Sequence, residues 1–184
     1  PIALSDLVRD LKKRGWLDVT ITAGNAFGGD LEAVSLPSAL LLARHGVKAD
    51  LIVVALGPGI VGTGTKMGFS GVEQSWVIDL TCRLGGKSIA VPRISGADPR
   101  ERHRGISHHT LTMLELACHP PLLPISRHLT PDTRQRVESV IKDERYAKLG
   151  QWIAVDHPAA GPLFAKYALH VKSMGRDVRD DPDF

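Results

Sequence analysis

Short apolar runs alternate with helical patterns along nearly the whole chain. The runs are bounded by glycine, proline and charged residues, and they read DVTITA, DLIVVAL, SIAVPRI, PLLPIS and QWIAVD. Between them, apolar residues recur at the three- and four-residue intervals of an amphipathic helix. Short, nearly all-apolar strands separated by helices are typical of a parallel sheet covered on both faces. The order of elements therefore predicts an α/β fold, a doubly wound, Rossmann-like and mostly parallel sheet of about five strands.

Local capping signals predict where several helices begin. Asp30 stands before an apolar pattern over residues 31–45, and Ser107 can cap a helix that runs to about Ala117. Thr130 followed by Pro131 is a strong start for another helix, because proline at the first helical position gives up an N–H that has no partner there.

The composition is that of a single globular domain. Of 184 residues, 43% are hydrophobic and 23% are charged, which is enough apolar material for one core. We expect one α/β domain over residues 1–172 and a flexible polar tail over residues 173–184.

Charge and hydropathy argue against nucleic acid and membranes as partners. A net charge of +3 is too small to indicate nucleic acid or a membrane surface as the partner. No stretch approaches the ~18 apolar residues of a membrane span, and no signal peptide is visible, so a cytoplasmic protein is expected. The chain starts at Pro1 without a methionine, which leaves open a missing N-terminal domain, and homo-oligomerisation stays open too.

Polar residues concentrate in the loops that follow the predicted strands. In open parallel sheets, ligands bind beyond the carboxyl ends of the strands. The residues predicted to bind a ligand or cofactor there are Asn25, Asp30, Gly57, Gly59, Gly62, Thr63, Gly64, Thr65, Arg93, Arg100, Arg102 and Arg104.

The loop LGPGIVGTGT has three interpretations. The glycines match the spacing of a dinucleotide fingerprint, but the next helix starts late and Arg93 ends the next strand, where an acidic residue is expected. The same glycines could form a nest of N–H groups around a phosphate or carboxylate, with Thr63 and Thr65 adding donors. They could also serve only a tight turn.

The segment from Arg93 to His109 supplies the candidate chemistry. Guanidinium groups bind phosphate and carboxylate oxygens in pairs, although this loop could instead be self-paired at the surface. The predicted catalytic residues, as acids, bases or hydrogen-bond donors, are Asp98, His103, His108 and His109.

The two adjacent histidines bear on whether a metal is present. In the first turn of a helix, the positive end of the dipole disfavours the imidazolium form. Adjacent helical positions point about 100° apart, and the nearby arginines would repel a divalent cation unless carboxylates offset them, so we do not predict a required metal. A metal site built with nearby acids or other histidines is the open alternative, and its further candidates are Asp30, Glu32, Asp98, His128, Asp156 and His157.

Four long segments carry a resemblance to a known family. They are ITAGNAFGGDLEAV, GPGIVGTGTKMGFSGVEQ, PRISGADPRERHRGISHHT and MGRDVRDDPDF, and they resemble the signatures of the bacterial domain-of-unknown-function family 3866. The resemblance implies that proteins of this family are about twice as long as this chain and that the chain matches their C-terminal part. The resemblance implies no established activity.

The sequence thus predicts a protein that binds an anionic, phosphorylated small molecule, with the cofactor unknown. It could be an enzyme that uses histidine or aspartate as acid and base. The alternatives are a non-catalytic ligand-sensing or oligomeric assembly domain, an NAD(P)-type dinucleotide-binding protein, and a metal-dependent hydrolase.

Overall fold

Several helices begin where capping signals predict them. The structure, a computed structural model, describes residues 2, 5–57, 59–157, 160–169, 171–173 and 176–183. Its α-helices are α1 (Asp6–Lys13), α2 (Leu36–Leu41), α3 (Gln74–Arg83), α4 (His108–Leu116), α5 (Pro131–Lys142), α6 (Glu144–Ala147) and α7 (Ala160–Lys166). A π-helical turn (Leu42–Gly46) follows α2, and short 3₁₀ turns cover Ser70–Glu73, Glu101–His103 and Val178–Asp180. The Ser107 hydroxyl accepts from the His109 N–H at the start of α4, and Pro131 opens α5, as predicted. In this described part, no helix combines the length and the apolar character needed to cross a bilayer.

The strands are short and are arranged in pairs. They are β1 (Ile21–Ala23), β2 (Leu31–Ala33), β3 (Ile94–Ser95), β4 (Gly105–Ile106), β5 (Leu122–Ser126), β6 (Gln151–Val155), β7 (Lys172–Ser173) and β8 (Arg176–Asp177). The pairs β1–β2 and β5–β6 are parallel, whereas β3–β4 and β7–β8 are antiparallel. The fold is α/β, but the prediction of a five-stranded, doubly wound, Rossmann-like sheet is wrong.

The missing sheet follows from apolar runs that do not pair. Residues 51–55 belong to no strand, and the side chains of Leu51 and Val53 are 77% and 79% exposed. In SIAVPRI, Pro92 has no N–H for a ladder, and only an isolated bridge joins Ile89 to Leu122 before β3 begins. An apolar run indicates extended backbone but does not show whether another strand lies beside it.

The helix predicted over residues 31–45 begins later than expected. Residues Leu31–Ala33 form β2 instead, and α2 starts after Ser35, whose N–H donates to Ser38 Oγ at 3.1 Å. Asp30 caps no helix. Its carboxylate accepts from both the N–H and the hydroxyl of Thr20, each at 2.8 Å, and so fixes the backbone beside β1.

The chain divides into two compact units, Pro1–Gly62 and Thr63–Phe184. The first unit contains α1, β1, β2 and α2. The second unit has two clusters of buried apolar side chains, and the half-buried Trp152 on β6 packs against both. One cluster is Ile78, Met113, Leu114 and Leu123; the other is Ile106, Ile125, Leu129 and Val137.

The polar C-terminal segment, predicted to be flexible, is anchored by two carboxylates. Asp181 accepts from the Gly96 N–H at 3.1 Å and from the Ser95 hydroxyl. Asp183 accepts from the Thr130 N–H at 2.6 Å, at the start of α5. Composition predicts a loose tail because it does not show these distant donors.

Asp79 on α3 fixes the turn that follows α4. Its Oδ1 accepts from the backbone N–H groups of Cys118 and His119, both at 2.9 Å. Burial raises the pKa of Asp79, but the donors of Cys118 and His119 outweigh this effect and hold the pKa below its usual range.

Replacing Asp79 by asparagine should lower the free energy of unfolding at neutral pH by about 1–2 kcal/mol, because the N–H donors lose a charged acceptor. Since the pKa is lower in the folded protein, the stabilisation is complete above the unfolded value of about 3.9. It is lost as the pH falls through the lower, folded value. Urea unfolding between pH 3 and 7 measures this effect. Asp50→Asn, at an exposed position, is the control; a variant Asp79→Asn as stable as this control would contradict the account.

Candidate functional site

A hairpin and the first turn of a helix bring three histidines together. Strand β3 pairs with β4, the loop between them carries His103, and His108 and His109 open α4. The ring centroids of His108 and His109 are 4.2 Å apart, and that of His103 lies 4.9 Å from each. One ring nitrogen from each residue lies within 4.8 Å of the other two. The three rings therefore converge on one small volume, which we call the histidine cluster.

Ser107 joins the members of the histidine cluster. Its hydroxyl oxygen lies 2.7 Å from Nδ1 of His103 and accepts from the His109 N–H at 3.3 Å. Ser107 is fully buried, and its own N–H donates to the Arg93 carbonyl at 2.9 Å. The residue predicted only as a helix cap thus also orients His103.

Two nitrogens of the histidine cluster are buried without a hydrogen bond. Within the described residues, Nε2 of His103 and Nε2 of His108 have no partner. A buried polar atom without a partner costs about 1–3 kcal/mol, and such atoms are rare. These two atoms point to a bound ligand that would satisfy them.

The histidines are neutral at physiological pH. Burial is the largest cause that lowers the pKa values of His103 and His109 to about 4, and the positive charges of Arg93 and Arg100 add to it. Burial and the charge of Arg102 also lower the pKa of His108. We predicted neutral rings from the helix start, but burial and the arginines are the main causes.

The buried Asp98 carboxylate is surrounded by guanidinium groups. It accepts from Arg93 Nη2 at 2.9 Å and from Nε and Nη2 of Arg100 at 3.0 Å each. The Arg100 N–H adds a further bond at 3.0 Å. These bonds fix the side chains of Arg93 and Arg100 around the Asp98 carboxylate.

The four predicted arginines have different environments. Arg93 and Arg100 share Asp98, while Arg104 Nε donates to the Asp98 carbonyl at 3.0 Å. Arg102 is exposed and forms no ion pair with the residues that the structure describes. The loop is therefore partly self-paired, and Arg102 is the arginine best able to contact an incoming anion.

The second half of the glycine loop closes on itself. The Thr63 N–H donates to the Gly68 carbonyl at 2.7 Å, and the hydroxyls of Thr63 and Thr65 lie 3.1 Å apart. Phe69, at the end of this loop, stacks on His109 with ring centroids 4.0 Å apart. The loop thus contacts the histidine cluster through an aromatic ring, and its threonine hydroxyls bond within the turn.

The predicted ligand-binding residues are divided between the two units. Asn25, Asp30, Gly57, Gly59 and Gly62 belong to the first unit. Thr63, Gly64, Thr65 and the four arginines belong to the second unit, as does the whole histidine cluster. Gly59 and Gly64 have φ angles of +87° and +82°, which only glycine adopts readily.

The other acids and histidines considered for a metal site do not join the histidine cluster. Among the described residues, the group of potential ligands contains His103, His108 and His109 and no carboxylate. His128 Nε2 instead lies 2.6 Å from an Asp156 carboxylate oxygen, at the carboxyl ends of β5 and β6.

Sequence reasoning grouped His103 with His108 and His109 but did not predict how the three rings meet. The sequence shows how far His103 lies from His108 and His109. It does not show that the residues between them form the two-residue strand β4, which changes the direction of the chain. Gly105 lies within β4 at a φ of +66°, and this glycine is the one local signal for the turn. Asp181 lies 86 residues after Ser95, so no local pattern could have linked them.

Comparison with known proteins identifies a family whose function is unknown. The family model described as protein of unknown function (DUF3866) matches residues 1–184, the whole chain. No curated protein and no solved structure matches.

Gly68 should tolerate a side chain poorly. A Cβ there would lie 2.0 Å from Thr63 Oγ1 and 2.3 Å from Thr65 Oγ1, so Gly68→Ala should destabilise the protein by about 1–2 kcal/mol. Gly57→Ala is the matched control, because nothing lies within 4 Å of its added Cβ. Thermal unfolding monitored by circular dichroism compares the two variants. Equal melting temperatures would show that the chain does not form the tight turn between Thr63 and Gly68.

Proposed function

We propose that this protein is a metal-dependent hydrolase of anionic, phosphorylated small molecules. The chain belongs to the DUF3866 family, whose function is unknown. One observation carries the proposal. Three neutral histidines converge in the second unit, and two of their buried Nε2 atoms have no partner among the described residues. Neutral imidazole nitrogens are common ligands of zinc and related divalent metals.

The histidine cluster fits a tetrahedral metal with one open position. Zn–N bonds of about 2.0–2.1 Å place ligand nitrogens roughly 3.3 Å apart. The three nitrogens are within 4.8 Å of one another, so ring movements of about 1 Å are needed. Although adjacent helical positions diverge, His103 reaches the same volume from the hairpin and brings the three ring nitrogens together.

Ser107 gives the ligand set a supporting shell. When His103 carries its ring proton on Nδ1, that N–H donates to the Ser107 hydroxyl oxygen, 2.7 Å away. The lone pair on Nε2 is then available to a metal. Histidine ligands commonly donate their other ring N–H to such a partner, which fixes the tautomer and the orientation of the ring.

The charges around the cluster favour an anionic substrate. Three neutral ligands leave the charge of a divalent ion uncompensated, and Arg93 and Arg100 share a single carboxylate. The exposed Arg102 adds a further positive charge. A phosphate group would satisfy this excess through its oxygens.

Hydrolysis of a phosphate ester fits these parts. A metal held by His103, His108 and His109 would supply Lewis acidity and would lower the pKa of a bound water. In the overall reaction, a bond from the water oxygen to phosphorus would form as the ester P–O bond breaks, and one water proton would pass to the departing oxygen. The arginines of this chain would bind the phosphate oxygens and orient the ester.

A second candidate function follows from the other tautomer of His103. Arg93 Nη1 lies 3.3 Å from Nδ1 and can only donate, which favours a proton on Nε2. The Nε2–H would then donate directly to an anion without a metal, as in a non-catalytic ligand-sensing or assembly domain. NAD(P)-type dinucleotide binding loses its structural basis, because the described residues form paired strands and no Rossmann-like sheet.

We expect the purified protein to bind about one zinc, cobalt or manganese ion per chain after dialysis against each metal. His103→Ala and His108→Ala should each lose most of this metal. His45→Ala, at an exposed position in the first unit, should retain it. Elemental analysis measures the content. A wild-type protein that retains no metal but binds phosphate would support the second candidate instead.

Arg102→Gln should have opposite effects on cation and anion binding. Removing the positive charge should strengthen metal binding about fivefold, since one such interaction near a protein surface contributes on the order of 1 kcal/mol. It should weaken phosphate binding to the metal-loaded protein by a similar factor. Calorimetric titrations of both ligands test this, with the exposed Arg83→Gln as control. A loss of both affinities would show that Arg102 is structural.

A further inference from the structure

The C-terminal segment binds the loop that leads to the histidine cluster. Asp181 accepts from the Ser95 hydroxyl, from the Gly96 N–H at 3.1 Å and from the Ala97 N–H at 3.4 Å. Its Oδ1 also accepts from the Asp183 N–H at 3.2 Å. One carboxylate thus holds three consecutive residues at the end of β3.

A second carboxylate fixes the same segment to α5. Asp183 accepts from the N–H and hydroxyl of Thr130 at 2.6 and 2.7 Å, and from the Thr133 hydroxyl at 2.6 Å. A Cβ on Gly96 would lie 2.2 Å from Asp183 Oδ2. The segment is therefore held between the β3 loop and the start of α5, without room for a side chain at Gly96.

Hydrogen bonds continue from Asp181 to His103. The buried Ser95 hydroxyl, which donates to Asp181, accepts from the Asp98 N–H at 3.0 Å. The Asp98 carboxylate binds Arg93, whose carbonyl accepts from the Ser107 N–H at 2.9 Å. Ser107 Oγ lies 2.7 Å from His103 Nδ1. Each link connects buried or half-buried groups, so movement at Asp181 can reach the His103 ring.

We propose that Asp181 is a positioning residue for the histidine cluster and acts through Ser95. The proposal rests on the proposed metal function. By holding the loop 95–97, the Asp181 carboxylate sets Asp98 and Arg93, which in turn place Ser107 against His103. Partners that orient metal ligands from outside the coordination shell change metal affinity by about 10–100-fold, so we expect about tenfold weaker binding without Asp181.

The test is a titration with Co²⁺, whose visible absorption reports both affinity and coordination geometry. Asp181→Asn and Ser95→Ala should each weaken binding about tenfold and alter the absorption bands. Asp180→Asn removes the same charge from the neighbouring, exposed position and should behave like wild type. The double variant Asp181→Asn, Ser95→Ala should be no weaker than either single variant, because both break the same path.

A second readout needs no metal. In the metal-free protein, the imidazole NMR signals of His103 should shift in Asp181→Asn and in Ser95→Ala, and they should stay unchanged in Asp180→Asn. Circular dichroism and melting curves confirm that the variants are folded. If wild type binds Co²⁺ and both variants match it in affinity and spectrum, the positioning role is refuted.

Failure of the proposed function would look different. The wild-type protein would then take up no Co²⁺. The role of Asp181 would be tested only by comparing the His103 NMR signals of the wild-type protein and the variants. Unshifted His103 signals in both variants would overturn it, while shifted signals would support a positioning role for a ligand other than a metal.

Discussion

The arrangement of the histidine cluster depends on the buried ion pairs of Asp98. This fully buried carboxylate binds the guanidinium groups of Arg93 and Arg100. Removing one member of a buried ion pair typically costs about 3–5 kcal/mol, because the other charge is left without compensation. The two guanidinium groups are partly exposed, so solvent screening places the cost here below that range. Asp98 thus fixes the segment that runs from Arg93 to His103.

The same ion pairs set the electrostatics of the site. Two guanidinium groups share one carboxylate, so positive charge remains beside the histidines and adds to the effect of burial on their pKa values. The rings are therefore neutral and available as ligands or donors. The remaining charge opposes a bare cation and favours a cation that arrives with, or recruits, an anion. This balance favours a metal and a phosphorylated substrate bound together.

Local signals predicted the parts of the structure that depend on neighbours in sequence. Ser107 caps α4, and Thr130 with Pro131 begins α5, because capping involves residues two or three positions apart. The same residues contribute to the site through contacts that no local pattern records. Ser107 contacts His103 across a hairpin, and Thr130 binds a carboxylate near the far end of the chain.

Strand pairing and the histidine cluster were not predictable in the same way. The exposed residues Leu51 and Val53 have the apolar pattern of a buried strand, yet that pattern does not identify a partner for them. The helix expected after Asp30 gave way to β2, because Leu31–Ala33 pair with β1. The expectation that no metal is required rested on the position of His108 and His109 at a helix start, on their divergence and on repulsion by the arginines. It did not include the position of the His103 ring, which depends on β4 and on the ion pairs of Asp98.

Anomalous X-ray diffraction from crystals of the full chain soaked in zinc tests whether the histidine cluster holds a metal. We expect one strong zinc peak in the histidine cluster, about 2.0–2.1 Å from one ring nitrogen each of His103, His108 and His109. No protein carboxylate should coordinate this ion. Crystals in which these three rings stay free of zinc, with or without zinc bound elsewhere, would contradict it.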